Sequence, residues 1–132
     1  MSTPQFTENT ALAFEKALEK AKSLHHAEVT ELHLLFALLE DSSGYFQMFA
    51  SKIGLNPQIL FQQVSQNLVH LPTLEQKAEP GLSTTLRQLI QDAWNLAKSW
   101  KDEFISTDHL FYIYWQQGKE PFASWKKNVL FP

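Results

Sequence analysis

Two segments of this chain repeat each other at a constant offset of 76 positions, the distance from His33 to His109. Residues 29–35 read VTELHLL, and residues 105–111 read ISTDHLF. Upstream of these segments, alanines at positions 17 and 21 return at the same offset, at 93 and 97. Such internal similarity predicts a repeated structural unit. Two copies of this length predict one domain with pseudo-twofold symmetry rather than an open solenoid.

Helix signals follow the same offset. Thr7 is a favourable N-cap residue and follows Phe6, and the second copy begins with the matching pair Leu82 and Ser83. Thr30 and Ser106 occupy equivalent cap positions before the two histidine-containing helices, and Asn56 followed by Pro57 predicts the start of a fourth helix. The second-repeat helix after Ser83 is predicted to bury one face, composed of Leu86, Leu89, Ile90, Ala93, Ala97 and Trp100. Pro121 is predicted to open a further short helix with Phe122 and Trp125.

We expect an all-α domain made of two four-helix repeats and no strand pair. Residues 1–132 form one domain, with repeat one at about 5–70, a linker at about 71–81 and repeat two at about 82–132. The linker contains Pro72, Pro80 and Gly81 and has no apolar periodicity. The offset pairs Asn56 with Pro132, so the second repeat is expected to lack its last helix.

Composition excludes several classes of function. With 11 basic and 14 acidic residues the net charge is −3. The sequence has no basic stripe of the kind found on nucleic-acid-binding surfaces, so we expect no nucleic-acid partner. No apolar run reaches the length of a membrane span, and the N-terminus lacks the features of a secretory signal. The chain has no cysteine, which suits a reducing compartment, and we expect a cytoplasmic protein.

The motifs of common enzymes are absent from the sequence. There is no glycine-rich phosphate loop and no nucleophile elbow, so the chain by itself is expected neither to bind ATP nor to catalyse a reaction. Five histidines lack the spacing of a metal site, and we expect no metal. His33 and His109 each follow a cap residue by three positions, where a ring nitrogen can bond to the backbone of the helix start.

Leu96 differs from its surroundings because it lies off the apolar face of its helix, and its counterpart in repeat one is Lys20. A solvent-facing leucine is ordinary by itself. Beside Asp102 and Asp108 it can line a shallow groove with an acidic rim.

The doubled pattern resembles the N-terminal repeat domain of the Clp-type AAA+ unfoldases. The resemblance rests on the helix starts Phe6-Thr7 and Leu82-Ser83, the paired alanines and the two histidine segments, and it covers roughly residues 5–130. Members of the ClpC type have Glu before this His in both copies, an acidic pair associated with binding of phosphorylated arginine. Here Leu32 precedes His33 and Asp108 precedes His109, which favours the ClpB type, the disaggregase chaperones.

This resemblance implies a mobile head on a hexameric AAA+ ring of the same parent chain. The head would bind unfolded or aggregated polypeptide weakly and pass it to the ring, and only the ring would bind ATP and magnesium. The positions that match the family's substrate contacts are Thr7, Asp102 and Asp108, with Leu96 as an apolar floor residue. Lys101 stands where the family usually has Gly before the Asp.

Two alternatives remain at this stage. One is an adaptor-docking N-domain of a ClpC- or ClpA-type unfoldase that serves an ATP-dependent protease. The other is a free-standing Clp-repeat protein. A third reading concerns Thr7 alone, because its hydroxyl can serve as a helix cap without contacting any client.

Overall fold

Six α-helices and one short parallel strand pair form the described part of the chain, which comprises residues 4–41, 44–52, 54–75 and 79–117 of a computed structural model. In chain order the elements are α1 (Glu8–Ser23), β1 (Glu28–Val29), α2 (Glu31–Glu40), α3 (Tyr45–Lys52), α4 (Pro57–Leu68), β2 (Gly81–Leu82), α5 (Thr84–Ser99) and α6 (Thr107–Gln117). The all-α prediction is confirmed. The short helix predicted after Pro121, and the place of the second repeat's last helix, lie outside the described residues.

Polar caps start the helices where the sequence predicts them. The Thr7 hydroxyl accepts a hydrogen bond from the backbone N–H of Thr10 at 3.2 Å, and the equivalent Ser83 hydroxyl accepts from Leu86 at 3.1 Å. The Asn56 side chain accepts from the backbone of Gln58 at 3.0 Å. Each cap satisfies a backbone donor that the first turn of a helix leaves unpaired.

The two long helices also end alike. His25 after α1 and Lys101 after α5 have positive φ values of 56° and 63°. The next residue in each repeat bonds back across the turn, His26 N–H to the Ala21 carbonyl at 2.9 Å and Asp102 N–H to the Ala97 carbonyl at 2.8 Å. This is the hydrogen bond of a Schellman motif. Lys101 therefore adopts the left-handed conformation that glycine favours.

The backbone at the start of each repeat pairs with the backbone segment before the histidine-containing helix of the other repeat. Val29 lies beside Leu82 in the parallel β1–β2 pair, and Phe6 forms a parallel bridge with Ile105. Correspondingly, Ser83 N–H donates to the Val29 carbonyl at 2.9 Å, and Thr7 N–H donates to the Ile105 carbonyl at 3.1 Å. Our expectation of no strand pair is wrong, because pairings of one or two residues leave no periodicity in a sequence.

The predicted linker is tied to repeat one at its beginning. Ala27 N–H donates to the Pro72 carbonyl at 3.1 Å, and Leu74 N–H donates to the His25 carbonyl at 2.7 Å. These bonds fix residues 72–74 against the corner between α1 and α2.

Small residues let each long helix approach its neighbour closely. Ala17, Ala21, Ala93 and Ala97 have no exposed surface, and α1 packs against α2 as α5 packs against α6. The core also contains large side chains from both repeats, among them Leu60, Leu86, Leu89, Ile105, Leu110 and Trp115. None of the helices in the described ranges combines the length and hydropathy that crossing a membrane requires.

The sequence predicts that Trp100 lies on the buried face of its helix, but the residue is 50% exposed. It is the C-cap residue of α5, where the backbone leaves the helix and turns the side chain away from the core. Its ring lies 5.2 Å from that of His109 and 5.8 Å from that of Tyr112, measured between centroids.

Candidate functional site

A pocket of about 260 Å³ opens between the two repeats. Its walls come from the first half of α1, the end of α2, the start of α3 and the first turn of α6. Apolar side chains form its floor and polar groups its rim, and the lining comprises Thr7, Asn9, Leu12, Ala13, Lys16, Ala37, Leu38, Asp41, Tyr45, Phe46, Ser106, Thr107 and Asp108. Such a mixture suits a polypeptide segment, which presents apolar side chains and backbone hydrogen-bonding groups together.

Two of the four predicted site residues meet at this pocket. Thr7 lies on its rim as the N-cap of α1, and its hydroxyl is 2.8 Å from that of Thr10. Asp108 lies in the first turn of α6, where the helix dipole favours a negative charge. The crossed pairing of Phe6 with Ile105 brings these two residues together, since it joins the start of α1 to the segment before α6.

The other two predicted residues do not line the pocket. The Asp102 carboxylate is 49% exposed and accepts a hydrogen bond from Nε2 of His109 at 2.9 Å. Leu96 is half-buried on α5, close to the exposed Trp100 in sequence. Leu96 and Asp102 are thus absent from the lining of this pocket, and their predicted part in binding stays a prediction.

Sequence reasoning missed most of the pocket lining. Tyr45 at the start of α3 and Leu12 and Lys16 on α1 contribute to the walls. Once the buried face of α1 is known, the helical periodicity predicts which of its other residues are half-buried or exposed. No signal in the sequence indicates that Tyr45 faces α6, because that contact depends on how α3 packs.

The two histidines bind their helix starts as predicted. Nδ1 of His33 accepts from the backbone N–H of Thr30 at 2.9 Å, and Nδ1 of His109 accepts from that of Ser106 at 2.9 Å. Each ring therefore carries its hydrogen on Nε2. In repeat two this N–H donates to Asp102, and in repeat one it donates to Nδ1 of His26 at 2.7 Å.

His26 and Asp102 stand at equivalent positions, so the two repeats pair their histidines with different partners. Burial, as the largest cause, together with the nearby His26 and Lys20 lowers the pKa of His33 to about 4. Burial also lowers the pKa of His26, with Lys20 adding to the effect. Repeat one therefore keeps two neutral imidazoles in contact. The 76-residue offset contains this signal, because it pairs His26 with Asp102.

The surface equivalent to the pocket rim has a different set of side chains in the other repeat. Glu31 accepts hydrogen bonds there from the hydroxyls of Ser83, at 3.4 Å, and Thr85. Leu32 takes the position that corresponds to Asp108. The two surfaces therefore differ in their acidic group, which is Asp108 on the pocket rim and Glu31, bonded to two hydroxyls, on the other surface.

No group of three or more potential metal ligands occurs within the described ranges. His26 and His33 form a pair whose facing nitrogens bond to each other. The pocket offers hydrogen-bonding groups, apolar contacts, the carboxylates of Asp41 and Asp108 and the ammonium group of Lys16.

The described residues define a class of protein, a helical fold in which two repeats interlock and leave a pocket at their junction. Residues 5–129 match the Clp repeat (R) N-terminal domain family, and the chain belongs to this family. Domains of this family are non-catalytic domains of an ATPase.

Sequence relatives of this chain include chaperone proteins. Over 126 residues, 95% of this chain, it is 43% identical to the chaperone protein ClpB of Chlamydia pneumoniae. The chain spans 14% of the length of that relative.

Solved structures share the fold. The Hsp104 N-terminal domain from Candida albicans superposes with a TM-score of 0.77 at 21% identity, covering 93% of this chain and 78% of that one. A complex of the ClpV N-domain with a VipB peptide superposes with a TM-score of 0.78 at 22% identity, covering 96% of this chain and 79% of that one.

Proposed function

We propose that this domain binds unfolded or aggregated polypeptide weakly at the pocket between its repeats and passes it to a hexameric AAA+ ring of the same parent chain, in the cytoplasm. The observation that carries the proposal is the pocket itself, with its apolar floor and with Thr7 and Asp108 on its rim. Backbone amides and cationic side chains of an extended chain are the partners that such a rim can hold.

Weak binding suits this role, because a client must leave the domain before the ring can thread it. Several such domains on one ring would raise the overall affinity through effective concentration alone, without new contacts. The ring would bind ATP and magnesium and perform the hydrolysis, and this domain would contribute no catalysis.

Docking of an adaptor protein is the second candidate. The ClpV N-domain complex with a VipB peptide supports it, since that structure holds a defined peptide on the same fold. An adaptor would bind through one folded surface or one sequence motif, whereas a client-binding domain would accept many unfolded chains.

Replacing Asp108 by Asn tests the proposal. The variant should bind fluorescein-labelled, reduced and alkylated lysozyme about threefold to tenfold more weakly, because it loses a charge-assisted hydrogen bond. Fluorescence anisotropy measures the affinity.

Asp92→Asn is the matched control. Asp92 lies on α5, where it accepts a hydrogen bond from Gln88 at 2.9 Å, and it does not line the pocket. Its replacement should leave the affinity unchanged. If the Asp108 variant and the wild type bind with equal affinity, the pocket rim is not part of the binding site.

A further inference from the structure

Tyr45 reaches from the start of α3 to the first turn of α6. Its hydroxyl oxygen lies 3.1 Å from Oδ1 and 3.2 Å from Oδ2 of Asp108. One O–H thus stands in front of both carboxylate oxygens. That is the face on which a guanidinium group binds a carboxylate with two parallel hydrogen bonds.

The phenol is held in the form that can donate this bond. Partial burial raises the pKa of Tyr45, and the charge of Asp108 and the hydrogen bond to it raise it further. The hydroxyl therefore keeps its proton at neutral pH. When no client is bound, the Asp108 carboxylate is hydrogen-bonded to the Tyr45 hydroxyl of the same chain.

This contact can open without any change of the backbone. Tyr45 is 53% exposed, so its side chain can rotate into solvent within the time that exposed rotamers need. The backbone of α3 is fixed independently, because Met48 N–H donates to the carbonyl of Gly44 at 2.9 Å. Gly44 supplies the positive φ of 73° with which the chain enters the helix.

We propose that Tyr45 is a latch on Asp108, which a cationic side chain of the bound polypeptide, Arg or Lys, displaces. The inference rests on the proposed binding of polypeptide at the pocket. A cationic group gains more from the carboxylate than the neutral phenol does, whereas an aliphatic side chain gains nothing and leaves the latch closed. The latch therefore weakens binding only for clients that use Asp108.

Two short fluorescein-labelled peptides test this inference on the 132-residue chain. One alternates arginine and leucine, and the other has norleucine in place of each arginine, which keeps an aliphatic stem and removes the donors. Their affinities are measured by fluorescence anisotropy for the wild type, Tyr45→Phe, Asp108→Asn and the double variant. Tyr112→Phe is the matched control, because the Tyr112 hydroxyl accepts a bond from Gln116 on α6 and does not line the pocket.

Tyr45→Phe should tighten binding of the arginine peptide about threefold to tenfold, the effect of removing one competing hydrogen bond to a charged group. It should not change binding of the norleucine peptide, and it should have no effect when Asp108 is already Asn. Tyr112→Phe should change neither peptide. Melting curves establish that the variants are folded. Tyr45→Leu is a second variant that lacks the hydroxyl.

The outcomes separate this inference from the proposed function. If Asp108→Asn weakens binding of the arginine peptide while Tyr45→Phe leaves it equal or weaker, the latch is refuted and the pocket stands. If Asp108→Asn has no effect, or if the wild type binds neither peptide, the binding site itself is refuted together with the latch.

Discussion

At the scale of single residues, the equivalent positions 26 and 102 give the histidines of the two repeats different hydrogen-bond partners. Asp102 offers a carboxylate to His109, whereas His26 offers a second imidazole to His33. His26 and His33 are 4% and 0% exposed, and Lys20 is the cation that acts on both. A proton added to this pair places a charge in a buried site beside another cation, which costs free energy.

Stability should consequently fall as the solution is acidified from about pH 6.5 to about pH 4. The pKa of His33 is lowered from 6.5 to about 4, so the unfolded chain binds a proton in this window and the folded chain does not. The free energy of unfolding then decreases with falling pH, by up to about 1.4 kcal/mol per pH unit for this group. Urea denaturation across the window measures the slope.

His26→Asp gives repeat one the partner that repeat two has, and it should reduce this slope. His70→Asp, at an exposed position, serves as the control and should leave it unchanged. An undiminished slope in the His26 variant would contradict the role of the imidazole pair.

A second prediction at this scale concerns Lys101. Its φ of 63° is strained for a residue with a Cβ atom, so Lys101→Gly should stabilise the domain by about 0.5–1 kcal/mol. Lys98→Gly, inside α5, should instead destabilise it by about 1 kcal/mol. Chemical denaturation measures both, and a loss of stability in the Lys101 variant would contradict the account of the helix end.

At the scale of elements, the caps could be predicted from the sequence because each is a local interaction. Thr7, Thr30, Ser83 and Asn56 cap the helices that they precede. The Trp100 ring could not be placed in this way, since helical periodicity assumes that the helix continues through a residue at which the chain leaves it. The pairing of β1 with β2 could not be predicted either, because two residues show no alternation.

Substitutions at Thr7 and Ser83 distinguish an effect on helix capping from an effect on client binding. Both hydroxyls cap equivalent helices, so Thr7→Ala and Ser83→Ala should each lower the free energy of unfolding by about 1 kcal/mol. Only Thr7 lines the pocket, so only its replacement should also weaken binding of unfolded lysozyme. Denaturation and anisotropy on the same samples measure the two effects. Equal client binding by both variants would leave Thr7 with a capping role alone.

At the scale of the whole molecule, the repeat offset established the architecture, but it could not locate the site. The crossed bonds from Thr7 to Ile105 and from Ser83 to Val29 interlock the repeats. They place Thr7 beside Asp108 and leave Asp102 and Leu96 outside the pocket. A linear sequence contains no measure of these distances, so it could not show which of the four predicted residues line this pocket.

The measurement that tests the account most directly is an NMR titration of the isotope-labelled domain with reduced and alkylated lysozyme. The account predicts that chemical-shift changes concentrate at the pocket, at Thr7, Leu12, Ser106 and Asp108. Changes confined to Leu96, Trp100 and Asp102, or no changes at saturating client, would contradict it.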